Sequence, residues 1–176
     1  ALPIYKAFDK GLQALFHSSD EVIVNLECAV TDNASPIRKF GPNLKAPFGT
    51  GEVLKAAGVT ICTLSNNHIF DYGKAGVRDT LTELTRCGLR YTGYGKNRMD
   101  ARKNLIVERK DKKIAIINIC EHEYSYALEN REGAREYDVY DTSDDIVAAR
   151  KTADYVIVIY HGGKEYCRYP SPRLLK

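Results

Sequence analysis

Three short apolar runs along the chain predict buried β-strands: VIVNL at 22–26, VTICTL at 59–64 and YVIVIY at 155–160. Most of their side chains are β-branched, which favours a strand over a helix. None of the runs alternates strictly between apolar and polar residues, so each strand needs apolar cover on both faces. Runs of this kind are typical of a parallel or mixed sheet at the centre of a layered α/β domain.

Apolar positions three and four residues apart predict helices between these strands. Thr142 or Ser143 is the expected N-cap of one of them, because a hydroxyl there can accept a backbone hydrogen bond. Residues 104–119 instead predict a β-hairpin with its turn at Asp111 and Lys112. The predicted helices cover residues 3–18, 51–58, 74–88, 97–104, 142–153 and, at the end of the chain, 170–176.

The composition excludes several classes of protein. The 176 residues carry a net charge of +3 with no basic stripe or tail, which argues against a nucleic-acid partner and supports only a weak preference for anions. No segment reaches the roughly 20 apolar residues of a membrane-spanning helix. The five cysteines are dispersed without a CxxC spacing, so neither a disulfide scaffold nor a zinc ribbon is expected. Cys62 is interpreted as a small buried hydrophobe, and neither Cys28 nor Cys167 is expected to be a reactive thiol.

Each predicted strand ends in side chains that can bind a metal or move a proton. Glu27 follows the first strand, Asn66, Asn67 and His68 follow the second, and His161 ends the third. The carboxyl ends of strands in open α/β sheets form the ligand crevice, so these groups would share one small volume. A carboxylate, an amide oxygen and an imidazole are ligand types that suit divalent Mn, Fe or Zn.

Each of these residues also has a purely structural interpretation. Glu27 could cap the loop that follows it, and His161 could be a hydrogen-bonded histidine at a strand end. The two asparagines are good turn formers, while Asp71 and Gly73 could begin the next helix. Turn formation does not require His68, however, and it does not explain why all three strands end in potential ligands.

Four segments resemble a known family: VNLE at 24–27, LSNNHIFDYG at 64–73, GYGKN at 93–97 and HGGKEYCRYPSP at 161–172. Their order and spacing resemble those of CapA-type proteins, which are bacterial capsule or poly-γ-glutamate biosynthesis proteins of the calcineurin-like metallophosphoesterase superfamily. The resemblance extends from about residue 20 to the end of the chain. Its most specific part is the NNHxxDxG pattern, at residues 66–73.

The resemblance implies a four-layer α-β-β-α sandwich with two divalent metal ions (Mn, Fe or Zn) at the strand ends. It places Glu27 as the carboxylate that bridges the two ions, Asn67 as a ligand of one ion and His161 as a ligand of the other. His68 is implied as the general acid, and Asp71 as the carboxylate that orients it. Four further positions are implied to shape the pocket or bind substrate: Asn66, Gly73, Glu165 and Tyr166.

Two parts of the family pattern are absent from the chain. No strand that carries a Gly-Asp pair precedes Glu27, and the Gly-His motif expected after His161 is missing. The resemblance therefore implies a single truncated domain over residues 1–176, an incomplete sandwich that lacks some metal ligands and is inactive by itself. Exposed sheet edges in such a domain would favour a dimer or strand exchange.

These features predict a domain of a dinuclear-metal-dependent hydrolase that acts on a phosphoester or an amide in capsule or poly-γ-glutamate biosynthesis. The expected partners are an acidic polymer or a phosphorylated substrate, and membrane-bound biosynthesis proteins. The alternative is a non-catalytic polymer-binding or assembly module that uses basic residues between Arg38 and Lys45; a vestigial site in a generic α/β domain is a third interpretation. The resemblance favours a membrane-associated or extracytoplasmic parent protein, whereas the cysteines suit a reducing interior.

Overall fold

The computed structural model describes residues 8–121, 124–164, 166–172 and 174–175. Its helices and strands alternate along most of the chain, as the sequence predicts. In chain order the elements are α1 (Lys10–Ser18), β1 (Ile23–Asn25), β2 (Ala29–Val30), β3 (Lys45–Ala46), α2 (Thr50–Ala56), β4 (Ile61–Thr63), α3 (Gly73–Arg86), β5 (Arg90–Thr92), β6 (Tyr94–Gly95), α4 (Arg98–Ala101), β7 (Leu105–Arg109), β8 (Lys112–Cys120), β9 (Gly133–Ala134), α5 (Val139–Arg150) and β10 (Tyr155–His161).

Two three-stranded sheets form the centre of the fold. The first sheet has the order β1-β4-β5, with all strands parallel and Asn25 opposite Thr63 at the carboxyl ends. The second has the order β10-β8-β7, in which β10 is parallel to β8 and β7 is antiparallel to it. His161 lies opposite Cys120 at the carboxyl end of this second sheet. The parallel pairings bring the predicted ligand-bearing ends of β1 and β4 to one edge.

Side chains that alternate along β8 build two separate apolar layers. Ile116 packs with Ile61 of the first sheet and Val107 of β7, so this face of β8 lies between the two sheets. Its neighbour Ile117 points the other way and packs with Ala149 of α5. Since successive side chains of a strand face opposite sides, one strand can belong to both layers.

The first sheet is covered on its outer face by helices. Cys62 of β4 belongs to one core cluster with Val77 and Leu84 of α3, and all three side chains are fully buried. Helices therefore cover the outer faces of both sheets, and the predicted four-layer α-β-β-α sandwich is confirmed. No helix in the described part of the chain is long and apolar enough to cross a membrane.

A buried asparagine connects the two sheets close to their carboxyl ends. The side chain of Asn118 on β8 accepts a hydrogen bond from the Ser65 backbone N–H (2.7 Å) and donates one to the Ile159 carbonyl oxygen (3.2 Å). Gly93 makes this approach possible, because a Cβ there would lie 2.0 Å from Asn118 Oδ1. Its φ of +90° also favours glycine.

Two element boundaries near turns differ from the sequence predictions. The hairpin turn falls at Lys110 and Asp111, one residue earlier than predicted, and both residues have positive φ angles of 49° and 61°. A two-residue hairpin turn that matches the twist of its strands requires a positive φ at both of its central residues. The described residues 170–172 and 174–175 contain turns and no helix, so the predicted terminal helix is wrong for them.

Two helices begin at other residues than predicted. Asp138, rather than Thr142 or Ser143, is the N-cap of α5, because its carboxylate accepts hydrogen bonds from the first turn. Asp9 caps α1 in the same way, so the described part of this helix begins at Lys10. Residues 3–7 of the predicted first helix lie outside the described residues.

Candidate metal centre at the strand ends

The three predicted metal ligands lie side by side at the carboxyl ends of β1, β4 and β10. The Nε2 atom of His161 lies 3.0 Å from Asn67 Oδ1 and 3.7 Å from Glu27 Oε1. Asn67 and His161 are 94 residues apart in the chain, and the stacking of the two sheets brings them into contact. Asn25 donates a hydrogen bond to Glu27 Oε2 (2.9 Å), so this carboxylate is held while its other oxygen faces His161.

The chemistry of this donor set fits a divalent cation. Ligand atoms that are each about 2.0–2.2 Å from one ion lie roughly 3 Å apart when they meet at right angles, which is close to the observed spacings. The side chains of Glu27 and His161 are 42% and 26% exposed, so a solvated ion can reach them. Across the described part of the chain, no three His, Cys, Asp or Glu side chains form such a cluster. The third donor here is the amide oxygen of Asn67.

Asn66 shapes the turn that presents these groups. Its side-chain amide donates hydrogen bonds to the Leu26 carbonyl oxygen and to Asn25 Oδ1, while its own Oδ1 accepts from the backbone N–H groups of His68 and Ile69. The residue is fully buried. The side-chain amide of Asn66 is therefore used to form the turn, and its predicted substrate-binding role stays a prediction.

His68 and Asp71 form a hydrogen-bonded pair next to the three ligands. His68 Nδ1 lies 2.7 Å from Asp71 Oδ2, and the carboxylate also accepts from the Leu44 backbone N–H at 2.7 Å. Lys39 Nζ also lies 3.2 Å from Nδ1, but the shorter contact is with the carboxylate, which only accepts hydrogen bonds when ionised. A proton on Nδ1 satisfies that contact and leaves Nε2 for proton exchange. The predicted orienting contact of Asp71 with His68 is thus present.

A buried lysine that sequence reasoning missed completes this pair. Lys39 Nζ lies 2.6 Å from Asp71 Oδ1, and the two side chains are only 6% and 0% exposed. Burial alone would raise the pKa of Asp71, but hydrogen bonds from Lys39, His68 and Leu44, together with the Lys39 charge, hold that pKa below its usual range. Lys39 stands in an irregular loop, where the basic residues were interpreted as polymer contacts.

Tyr124 is a second residue that the sequence did not reveal. Its hydroxyl lies 2.7 Å from the Asn67 carbonyl oxygen and 3.0 Å from Asp71 Oδ1, and its single proton can be donated to one of them at a time. Lys39 Nζ lies 5.6 Å from the centre of the Tyr124 ring. Tyr124 therefore fixes the ligand-bearing turn from the side opposite to the sheets.

Of the other predicted pocket residues, the structure describes Gly73 and Tyr166. Gly73 begins α3 with a φ of +59°, so its contribution is to the backbone of the turn. Tyr166 has a fully exposed side chain. Glu165 lies outside the described residues, and its predicted role stays a prediction.

The cysteines near the centre are shielded thiols. Burial raises the pKa of Cys28, with a further contribution from the charges of Glu27 and Asp71. Burial also raises the pKa of Cys62, to about 12. Both thiols therefore stay protonated at neutral pH, in agreement with the interpretation that they are not reactive.

Comparison with known proteins agrees with the resemblance. The chain is 31% identical over 166 residues to capsule biosynthesis protein CapA of Bacillus anthracis, covering 89% of this chain and 40% of that protein. It is also 31% identical over 167 residues to PGA biosynthesis protein CapA of Bacillus subtilis, covering 92% and 44%. A probable polyglutamine synthesis accessory protein of Mycobacterium tuberculosis is 25% identical over 168 residues, covering 88% and 44%. The chain thus spans less than half the length of these relatives.

Among solved structures, a putative 5′-nucleotidase from Staphylococcus aureus in complex with alpha-ketoglutarate superposes with a TM-score of 0.47 and 19% identity, covering 66% of this chain and 24% of that one. Residues 4–176 match the family described as bacterial capsule synthesis protein PGA_cap. With that match across nearly the whole sequence, the chain belongs to the PGA_cap family of bacterial capsule synthesis proteins.

Proposed function

We propose that this chain carries the metal centre of a hydrolase that acts on a phosphoester or an amide in capsule polymer biosynthesis. The observation that carries the proposal is the contact of Glu27, Asn67 and His161 beside the His68–Asp71 pair. Metal ligands and an oriented proton donor beside them are the two components that metal-assisted hydrolysis needs.

Glu27, Asn67 and His161 would hold a divalent ion, with Mn, Fe and Zn suited to this mixture of nitrogen and oxygen donors. A bound ion would polarise an oxygen of the substrate and lower the pKa of a bound water. We further propose that Glu27 is shared between two ions, as the family resemblance implies. The chain itself positions these donors through Asn25 and the buried Asn66 turn.

His68 would exchange a proton with the substrate through Nε2. Asp71 holds the other ring nitrogen, and Lys39 neutralises the Asp71 charge at 2.6 Å. A positioned acid or base of this kind typically contributes 10²–10⁴-fold to the rate.

Membership of a bacterial capsule synthesis family supports a setting at the cell envelope for the proposed chemistry. We propose an acidic polymer or a phosphorylated compound as substrate, with a parent protein that is membrane-associated or extracytoplasmic and works with membrane-bound biosynthesis proteins. We also propose that residues 1–176 form part of one domain. Among the described strands, β10 pairs on one side only, so a second copy could add to its sheet at this edge.

A hydrolysis assay with His68→Asn tests the proposed function. Wild type, His68→Asn and His17→Asn would be incubated with Mn²⁺ or Zn²⁺ and with chromogenic phosphomonoester, phosphodiester and γ-glutamyl anilide substrates. His17 is an exposed histidine of α1 and serves as the matched control. The sequence alone predicts that this chain is inactive by itself; because Glu27, Asn67 and His161 meet beside the His68–Asp71 pair, we propose instead that it has metal-dependent turnover. This turnover should fall by roughly 10²–10⁴-fold in His68→Asn and be unchanged in His17→Asn. The absence of metal-dependent turnover in wild type, or equal rates in both variants, would contradict the proposal.

A further inference from the structure

A cavity lies between α3 and the strands β5 and β6, and none of the three metal ligands lines it. Its volume of about 420 Å³ is within the range of small-molecule sites. Cationic, aromatic and aliphatic side chains share its wall: Lys74, Arg78, Leu81, Tyr91, Tyr94 and Lys96.

The charge that this cavity offers to a ligand is positive. Arg78 and Lys96 are exposed, and neither side chain forms a hydrogen bond or an ion pair with another described residue. The two carboxylates at the rim are already engaged. Glu132 lies 3.7 Å from Lys74 Nζ and accepts a hydrogen bond from the Tyr94 hydroxyl at 3.0 Å, and Asp100 accepts one from Lys103 at 2.7 Å.

Part of the cavity wall is apolar, and a hydrogen bond fixes one of its aromatic rings. Tyr94 is buried, and its contact with Glu132 fixes the ring. Leu81 and Tyr91 are half-buried and expose carbon atoms to the cavity. A ligand that fits this lining carries several anionic groups on a chain with aliphatic segments between them.

The cavity and the metal centre are joined by one connecting segment, residues 124–134. At one end of the segment, Tyr124 contacts the Asn67 carbonyl oxygen next to the metal ligands. Near its other end, Glu132 contacts Tyr94 in the wall of the cavity. The two sites therefore contact different parts of the same segment, and an oligomeric ligand is the kind that could contact both.

We propose that this cavity is a binding subsite for an acidic, peptide-like oligomer that carries a carboxylate on each unit. Arg78 and Lys96 pair with successive carboxylates, while the aliphatic part of the ligand packs on Leu81 and Tyr91. The choice of an acidic polymer rests on the function proposed above, and the subsite deepens that function by giving the polymer a second point of attachment.

Calorimetric titration with a short γ-linked glutamate oligomer tests this subsite. The titration would be made in EDTA, so that binding at the metal centre does not contribute and the outcome is independent of hydrolysis. The variant Arg78→Gln/Lys96→Gln removes both unpaired cations of the cavity. The variant Lys55→Gln/Lys151→Gln removes two exposed lysines elsewhere and matches the change in net charge.

We expect the cavity variant to bind the oligomer roughly 2- to 30-fold more weakly than wild type, and the control variant to bind it unchanged. Circular dichroism melts would verify that both variants fold, which is expected because all four side chains are exposed. An absence of binding by wild type, equal weakening in both variants, or equally strong binding of inorganic phosphate would overturn the proposal. Turnover in the hydrolysis assay without oligomer binding would overturn the subsite and leave the proposed hydrolase intact.

Discussion

Replacement of Lys39 by methionine tests how much the buried ion pair of Lys39 and Asp71 contributes to stability. Met keeps most of the side-chain length and removes the charge that lies 2.6 Å from Asp71 Oδ1. Removal of one member of a buried ion pair typically costs about 3–5 kcal/mol, because the remaining charge is left without its partner. Asp71 keeps its hydrogen bonds from Leu44 and His68. We therefore expect Lys39→Met to lose about 3 kcal/mol of unfolding free energy, at the lower end of this range.

Urea unfolding followed by circular dichroism measures this loss, and a thermal melt should show a decrease in Tm of about 6–12 °C. Lys45→Met, at the start of β3, is the matched control; its exposed side chain should contribute less than about 1 kcal/mol. In an Asp71→Asn background, the cost of Lys39→Met should fall sharply, because no buried charge remains to be compensated. A cost below about 1 kcal/mol, or the same cost in both backgrounds, would refute the reasoning.

Three further predictions follow from the packing and the pKa shifts. Gly93→Ala should destabilise the fold by more than the roughly 1–2 kcal/mol of its left-handed backbone, since the new Cβ would lie 2.0 Å from Asn118 Oδ1. The free energy of unfolding should fall in acid, because the pKa of Asp71 in the folded protein lies below its usual 3.8. The stabilisation that ionised Asp71 provides is complete above pH 3.8 and is lost as the pH falls through the folded pKa. In native protein, a disulfide reagent at pH 8 should modify the exposed Cys167 and spare Cys62, whose pKa is raised to about 12.

Each of these predictions has its own control. Gly88→Ala carries the same backbone penalty as Gly93→Ala but meets no atom within 4 Å, so equal losses in the two variants would contradict the packing argument. Asp71→Asn should reduce the slope of the unfolding free energy against pH in acid, measured by urea unfolding. An unchanged slope would show that other carboxylates cause the loss of stability. All thiols should react once the chain is unfolded in urea; rapid modification of Cys62 in the native state would contradict its burial.

The layered fold and the main ligands were accessible from the sequence for a physical reason. Uninterrupted apolar runs require cover on both faces, and parallel strands bring their carboxyl ends to one edge. The second constraint explains why Glu27 and Asn67 lie at one edge. His161 ends a strand of the other sheet, so its contact with Asn67, 94 residues away, depends on how the two sheets stack and was implied by the family resemblance. Asp71 lies three residues after His68, so its contact follows from the local turn.

The residues that were missed lie where no periodic pattern operates. Lys39 and Tyr124 lie in irregular segments, and both contact Asp71. The spacing of hydrophobic residues does not predict the course of such segments, so it could not place these two side chains at the metal centre. The resemblance implied a pocket or substrate role for Asn66, whereas its side chain forms the hydrogen bonds of the turn. Asparagine side chains often bond to nearby backbone groups in turns, and the sequence alone does not show which asparagine of the pair does so.

Metal binding is the central claim, and a titration of the metal-free chain with Mn²⁺ tests it most directly. The comparison is between wild type, Glu27→Gln/His161→Gln, and Glu108→Gln/His17→Gln, which changes the same residue types at exposed positions. We expect wild type and the exposed-site variant to bind at least one equivalent, and the strand-end variant to lose it. Equal binding by all three proteins, or no binding by wild type, would contradict the assignment of the strand ends as a metal centre.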